Sequence, residues 1–281
     1  MSYQHKPFDT ELVTCDQLWA YTKLHRFYFS PKFYGLEKLD PSKPTLLVGN
    51  HTIFGVIDVP LLLAQIYKDL GIRVRVLADH AHYDIPVWRN LVDRMGGVEG
   101  TRENCSQLME QGAHVMVFPG GAREVSKRKG EQYQLTWKRR VGFCKMAIQH
   151  GYNIVPFAAV GPDDAYDILL DAEDIMHSPV KKLLDKTGLL SKDGLLRGGD
   201  IIMPVTRGLG LSPLPRPERF YFSIGDEIDI APFVGLEDDE EALYELRDQV
   251  AFGIQDLIGE MLSAREQDHE KGLFRRLLTR L

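Results

Sequence analysis

Apolar positions along this chain follow two periods in turn, and their alternation predicts an order of elements. Short apolar runs at 45–48, 73–78, 113–118, 153–160 and 219–224 have the length and the β-branched and aromatic content of buried strands. Between several of them lie stretches with an apolar face recurring at three and four residues: Pro60–Leu70, Asn104–Gln111 and Arg139–His150. Strand and helix in turn is the pattern of an α/β fold, a mixed, largely parallel sheet flanked by helices. A last long helix is predicted from about Asp238 to Ala264. Its buried stripe is Leu243, Leu246, Val250, Ile254, Leu257, Ile258 and Met261.

Three stretches depart from that rhythm. Residues 1–40 form an N-terminal aromatic helical element, with Leu18, Tyr21, Leu24 and Tyr28 at helical spacing and Pro31 as its stop. Residues 162–218 are rich in Gly and Pro and are expected to be an insertion or lid within an α/β domain spanning 41–265. The tail, 266–281, sets Leu273, Phe274, Leu277, Leu278 and Leu281 against Lys271, Arg275, Arg276 and Arg280. That face suits an interfacial anchor, and equally a helix docked on the core.

Composition narrows the classes. With 44% hydrophobic and 26% charged residues, a packed core is expected. The net charge of −6 argues against nucleic acid as a partner. No apolar run approaches the roughly 20 residues that span a bilayer, and the first residues lack the apolar core of a signal peptide. Cys15, Cys105 and Cys144 have no paired-ligand spacing, so reduced thiols and no metal site are expected. The expectation is a cytoplasmic protein, soluble or peripheral on a membrane.

Three clusters carry candidate chemistry. Asn50-His51 stands at the tip of the first predicted strand, with Asp58 seven positions on, before the next helix. A carboxylate that fixes an imidazole's tautomer makes it a general base. Equally, His51 is a satisfied turn residue and Asp58 an N-cap ahead of Pro60. In Gly96-Gly97-Val98-Glu99-Gly100-Thr101-Arg102, glycines permit close backbone approach and Arg102 can clamp a phosphate or carboxylate; alternatively Thr101 or Asn104 simply caps the following helix. In Phe118-Pro119-Gly120-Gly121-Ala122-Arg123-Glu124, a strand runs into a Gly-Gly turn where open α/β sheets hold ligands. The bland alternative is a tight turn with a solvated ion pair. Basic residues follow: Lys127, Arg128, Lys129, Lys138, Arg139, Arg140 and Lys145. They suit an anionic surface or a phosphate, or are a solvated face.

In this order and spacing the clusters resemble the glycerolipid (lysophospholipid) acyltransferase family. His51 with Asp58 is similar to its His-to-Asp motif, Gly96 to Arg102 to its second block, and Phe118–Arg123 to its third, commonly FPEGTR. Ile154-Val155-Pro156-Phe157 resembles the fourth. Two departures stand out. Six residues separate His51 from Asp58, where the family usually has four, and Gly120 occupies the position of a glutamate associated with acceptor binding. Glu124 offers a displaced carboxylate, and the Gly-Gly-Ala-Arg-Glu sequence resembles a branch whose members include enzymes acylating neutral lipids.

The resemblance implies acyl transfer from a thioester, acyl-CoA or acyl-ACP as co-substrate with no bound cofactor, to a hydroxyl of a glycerolipid such as a lysophospholipid. A neutral acceptor, diacylglycerol or a long-chain alcohol, is the alternative. His51 and Asp58 would be catalytic; Arg102, Gly120, Gly121, Arg123 and Glu124 would bind substrate, and the backbone at Gly120–Gly121 could face the oxyanion. The expected partners are a lipid acceptor, an acyl thioester donor and a membrane surface. A thioesterase and a non-catalytic lipid-binding protein are the competing classes; no G-x-S-x-G elbow supports a covalent nucleophile.

Overall fold

The buried apolar runs assemble into one seven-stranded sheet in the computed structural model of the protein, which describes residues 10–187, 196, 201–270 and 278–279. In chain order the elements are α1 (Cys15–Tyr21), α2 (Lys23–Phe29), β1 (Lys32–Tyr34), β2 (Leu46–Gly49), α3 (Val59–Leu70), β3 (Val74–Ala78), α4 (Pro86–Arg94), β4 (Gly97–Glu99), α5 (Arg102–Glu110) and β5 (His114–Val117). There follow α6 (Gly121–Val125), α7 (Gly142–His150), β6 (Ile154–Val160), β7 (Asp167–Leu170), α8 (Ala172–Met176), α9 (Val180–Lys186), β8 (Val205–Arg207), β9 (Tyr221–Ile224) and α10 (Glu240–Gln267). The sheet order is β1-β9-β6-β2-β5-β3-β4. The five strands from β6 to β4 are parallel, β9 is antiparallel to β6, and β1 runs parallel with β9. This is the mixed, largely parallel sheet that the periodicity predicts.

Every residue of β2, β5 and β6 is buried, as strands covered on both faces must be. One face of the sheet is closed by α5, α7 and α10, whose predicted stripe from Leu243 to Met261 is buried throughout. The other face is closed by α3 and the N-terminal helices, through Leu61, Leu62, Ile66, Leu18 and Phe29. Because β2, β5, β3 and β4 are parallel, residues 50–58, 118–124, 79–82 and 100–102 all emerge at one edge of the sheet, where open α/β sheets hold their ligands.

The N-terminal stretch differs from a single helix. Thr22 separates α1 from α2: its hydroxyl donates back to the Leu18 carbonyl (3.0 Å) while its ψ opens to 0°. The short strand β1 then follows Pro31. Leu24 and Phe27 are 72% and 81% exposed, so this element carries an uncovered apolar face. In the 162–218 segment, β7 and β8 pair as a separate antiparallel ribbon. The part of the predicted basic tail that carries its apolar and basic faces, 271–277 and 280–281, lies outside the described residues, as do 188–195 and 197–200 of the insertion. Among the described residues no helix is long and apolar enough to cross a membrane.

Candidate active site

β2 ends in a side-chain extension of its own ladder. Asn50, fully buried, donates through Nδ2 to the Ala159 carbonyl (3.0 Å) and accepts the Ala159 N–H at Oδ1 (2.9 Å), which locks the strand tip to β6. His51 is the next residue. Its ring stacks on Phe118, with centroids 4.2 Å apart and planes at 24°. On another side it is covered by Gly55, where any Cβ would overlap the ring. Phe54 and Gly55 both have left-handed φ, 61° and 60°, so the residues between His51 and Asp58 double back over the imidazole. Burial, followed by the charges of Lys127 and His82, lowers the His51 pKa to about 3, so the ring is neutral at ordinary pH.

Asp58 stands at the N-cap position of α3, yet its side chain makes no cap hydrogen bond. Instead Oδ2 accepts from the Thr52 hydroxyl at 2.8 Å. The N-cap reading of the sequence is thus right in position and wrong in contact. Asp58 Oδ1 and His51 Nδ1 are both buried without a hydrogen-bond partner, an acceptor and a ring nitrogen left open in the same short loop. Burial raises the Asp58 pKa to about 6.

The third cluster is organised around its two glycines. Glu124, on α6, turns back so that its carboxylate fills the place of a side chain at Gly120; a Cβ there would stand closer to Glu124 than the 3.0 Å real Cβ atoms keep. Glu124 Oε1 accepts the His51 backbone N–H at 3.3 Å, and Oε2 is buried and unpartnered. Its pKa is pushed up to about 7, chiefly by burial, with Lys127 acting the other way. Gly121 has φ +49°, and the Arg140 guanidinium lies over it, donating to the Pro119 carbonyl at 2.7 Å. The Gly121 N–H is spent inside the turn on the Phe118 carbonyl (2.9 Å), which removes it as an oxyanion donor in this arrangement.

The two predicted arginines are placed differently from His51. Arg123 is buried and forks onto Glu131, with contacts of 2.9 and 2.5 Å. Arg102 opens α5 and is exposed, at the far edge strand of the same sheet edge, three strands from β2. Thr101 caps α5 by accepting the Asn104 N–H (3.1 Å). Gly97 is glycine because α4 packs against it: a Cβ would strike Val92.

Sequence reasoning missed a second layer. Asp163, just after β6, accepts the Ile53 N–H (2.7 Å) and the Tyr133 N–H (3.2 Å), and meets the buried Lys127 ammonium at 3.5 Å. It thereby ties down the loop that covers His51. The sequence signal was a Gly-Pro-Asp-Asp turn directly after a strand. His82 was also missed. Its Nδ1 accepts from Trp88 Nε1–H at 2.8 Å, which in the neutral ring places the proton on Nε2.

His51 and His82 both line a cavity of about 380 Å³, within the size range of small-ligand sites. Its walls are otherwise mainly apolar: α3 gives Val59 and Leu63, β3 gives Val76 and Ala78, α4 gives Leu91 and Val92. Ser126 is the one hydroxyl or thiol side chain among the described lining residues, and its O–H is directed at the Met203 sulfur (3.3 Å). Cys105 and Cys144 are buried elsewhere, with burial raising both thiol pKa values. Among the described residues no group of His, Cys, Asp or Glu is arranged to hold a metal ion.

A histidine at a strand tip, a Gly-Gly turn beside it and a mainly apolar cavity before it thus meet at one edge of the sheet. A family model described as Acyltransferase matches residues 30–160 of the chain. It is 35% identical over 255 residues to phytyl ester synthase 2, chloroplastic, of Arabidopsis thaliana, covering 86% of this chain and 36% of that protein. It is 26% identical over 270 residues to diacylglycerol O-acyltransferase 2A of Umbelopsis ramanniana, covering 90% and 72%. The chain thus spans about a third of the length of the first of these relatives. The crystal structure of a 1-acyl-sn-glycerophosphate acyltransferase from Thermotoga maritima shares the fold, with a TM-score of 0.50 at 16% identity over 85% of this chain and 79% of that one.

Proposed function

We propose that this chain transfers a fatty acyl group from a thioester to the hydroxyl of a neutral lipid, a long-chain alcohol or diacylglycerol, with His51 as general base. The observation that carries the reading is a histidine on the wall of a mainly apolar cavity whose described lining residues offer no activated nucleophile. In the proposed step His51 takes the hydroxyl proton of the acceptor as its oxygen bonds to the thioester carbonyl carbon. The C–S bond then breaks, and the departing sulfur takes the proton back from the imidazolium. Positioned base catalysis of this kind contributes roughly 10²–10⁴-fold. Asp58 orients the ring through Nδ1 once substrate closes the loop, since catalytic hydrogen bonds are often open in the free enzyme. Glu124 holds the His51 backbone rather than touching the acceptor.

Three observations favour a neutral acceptor over a lysophospholipid. The motif arginine, Arg123, is already neutralised by Glu131. The cavity beside His51 is mainly apolar. Two relatives are named for making phytyl esters and for acylating diacylglycerol. The exposed Leu24 and Phe27 of α2 suit contact with the lipid surface that would deliver such an acceptor. Incubation of the purified protein with acyl-CoA or acyl-ACP and a panel of long-chain alcohols, diacylglycerol and lysophospholipids, with products identified by mass, tests the reading. Ester formed chiefly on the uncharged acceptors is expected; ester on lysophospholipid alone, or free fatty acid alone, overturns it.

A further inference from the structure

The third motif's own arginine is not the guanidinium that lies over its Gly-Gly turn. Arg123 is buried and held at both ends of its fork by Glu131. Arg140 arrives from 17 positions further along the sequence. Trp137 anchors its loop in the core, and the Arg140 N–H donates to the Trp137 carbonyl at 3.1 Å. The side chain reaches back over the Gly-Gly turn, where NH1 donates to the Pro119 carbonyl and sits 3.0 Å from the place of a Cβ on Gly121. Gly121 lines the cavity that holds His51, so the guanidinium packs against a residue of the cavity wall.

The charge of Arg140 is also uncompensated. Around the site, Arg123 pairs with Glu131, Arg128 with Glu173, Arg216 with Asp167 and Arg265 with Asp164. Among the described residues Arg140 has no acidic partner; the one hydrogen bond of its side chain goes to a neutral carbonyl, and it is exposed. A guanidinium has five N–H donors in a planar fork. Arg140 is therefore oriented by one donor while the others remain open over the Gly-Gly turn. An oriented, unneutralised arginine fork is the group that matches a phosphate in a bidentate way.

We propose that Arg140 binds a phosphate group carried by a substrate at the rim of the His51 cavity. This rests on the acyltransferase reading above, and two sources of the phosphate are open to it: the diphosphate of an acyl-CoA donor, or the headgroup of a phosphorylated acceptor. With the neutral acceptor favoured above, the phosphate belongs to the donor.

The test compares wild type with Arg140→Gln and Arg140→Lys on two donors, acyl-CoA and the phosphate-free acyl-pantetheine, each with a long-chain alcohol and with lysophosphatidate as acceptor. Wild type is expected to favour the phosphate-bearing member of one pair. Arg140→Gln should reduce that preference in kcat/KM by about 10- to 100-fold, the range for a hydrogen bond to a charged group. Arg140→Lys should keep part of it. Loss of discrimination between donors assigns the phosphate to the donor, and loss between acceptors assigns it to the acceptor. Equal reduction on all four substrate pairs, with an unchanged melting temperature, overturns the proposal. No transfer by wild type from any donor overturns the acyltransferase reading instead, and a direct titration of wild type and Arg140→Gln with desulfo-CoA then still decides the phosphate site: equal affinity refutes it.

Discussion

The carboxylate of Glu124 occupies the room that a side chain at Gly120 would need, so that a turn lacking an acid at one position receives it from one helical turn away. Gly120 has φ −67°, a conformation any residue adopts, and so backbone strain does not require glycine there. The requirement comes from Glu124 alone. Gly120→Ala should therefore push Glu124 off the His51 N–H, lower stability by about 1–3 kcal/mol as overpacking does, and reduce kcat. Adding Glu124→Gly, which removes the Cβ as well as the carboxylate, should recover part of the stability and none of the activity. Thermal melting of the two single variants and the double variant measures the coupling; simple additivity would argue that the two side chains do not compete.

Glu124 also predicts a pH dependence of stability. Its pKa is raised from 4.5 to about 7, so between those values the folded state holds a proton that the unfolded state has lost. Stability from this group therefore falls as pH rises from 4.5 to 7 and is level above. Glu124→Gln keeps an acceptor for the His51 N–H and removes the titration. Relative to wild type it should gain stability at pH 8, by at most on the order of 3 kcal/mol, and little at pH 5. Urea unfolding at the two pH values checks this; an equal difference at both contradicts it.

His51 runs the other way. With a folded pKa near 3 against 6.5 unfolded, its contribution is complete above 6.5 and is lost as pH falls toward 3. The base consequently stays unprotonated across the working range, and an acid limb in kcat/KM near pH 6 is expected from Asp58, with Glu124 titrating nearer 7. Asp58→Asn should give a slower enzyme without that limb. Persistence of an unchanged limb in the variant would show that another group sets it.

The Asp163 carboxylate joins Lys127, Tyr133 and the Ile53 N–H of the loop over His51. Asp163→Ala leaves the Lys127 ammonium buried and unpaired, which typically costs about 3–5 kcal/mol. Adding Lys127→Met should restore stability while kcat stays low, because the loop still lacks its anchor. Recovery of kcat along with stability would mean that Asp163 serves the fold only.

The sheet and the α10 stripe were legible because their residues are buried at every turn of a single period. The doublet α1–α2 was not, since the Thr22 hydroxyl that divides it is a local contact invisible to periodicity. α4 escaped notice because its apolar residues do not form a buried stripe: Val87 is 83% exposed, and Leu91 lines the cavity. At the site, motif spacing brought His51, Gly120, Gly121 and Glu124 to one sheet edge in the reading, and the structure gathers them there. The partner of Arg123, the anchor of the loop and the arginine over Gly121 come from segments 8, 110 and 21 residues from what they touch. Contacts of that kind depend on how the segments between β5 and β7 fold back, which no local pattern records.

The central claim is that the His51 imidazole removes the acceptor's proton without a covalent acyl-enzyme. The most direct measurement is the initial rate of acyl-CoA-dependent esterification of a long-chain alcohol by wild type and His51→Ala, with intact-protein mass spectrometry on the same reactions. The account predicts a fall of at least about 10²-fold in kcat, a variant that is still folded at the assay temperature, and no acyl adduct on either protein. A near-normal rate in His51→Ala, or an acyl group found on Ser126 or a cysteine of the wild type, would contradict it.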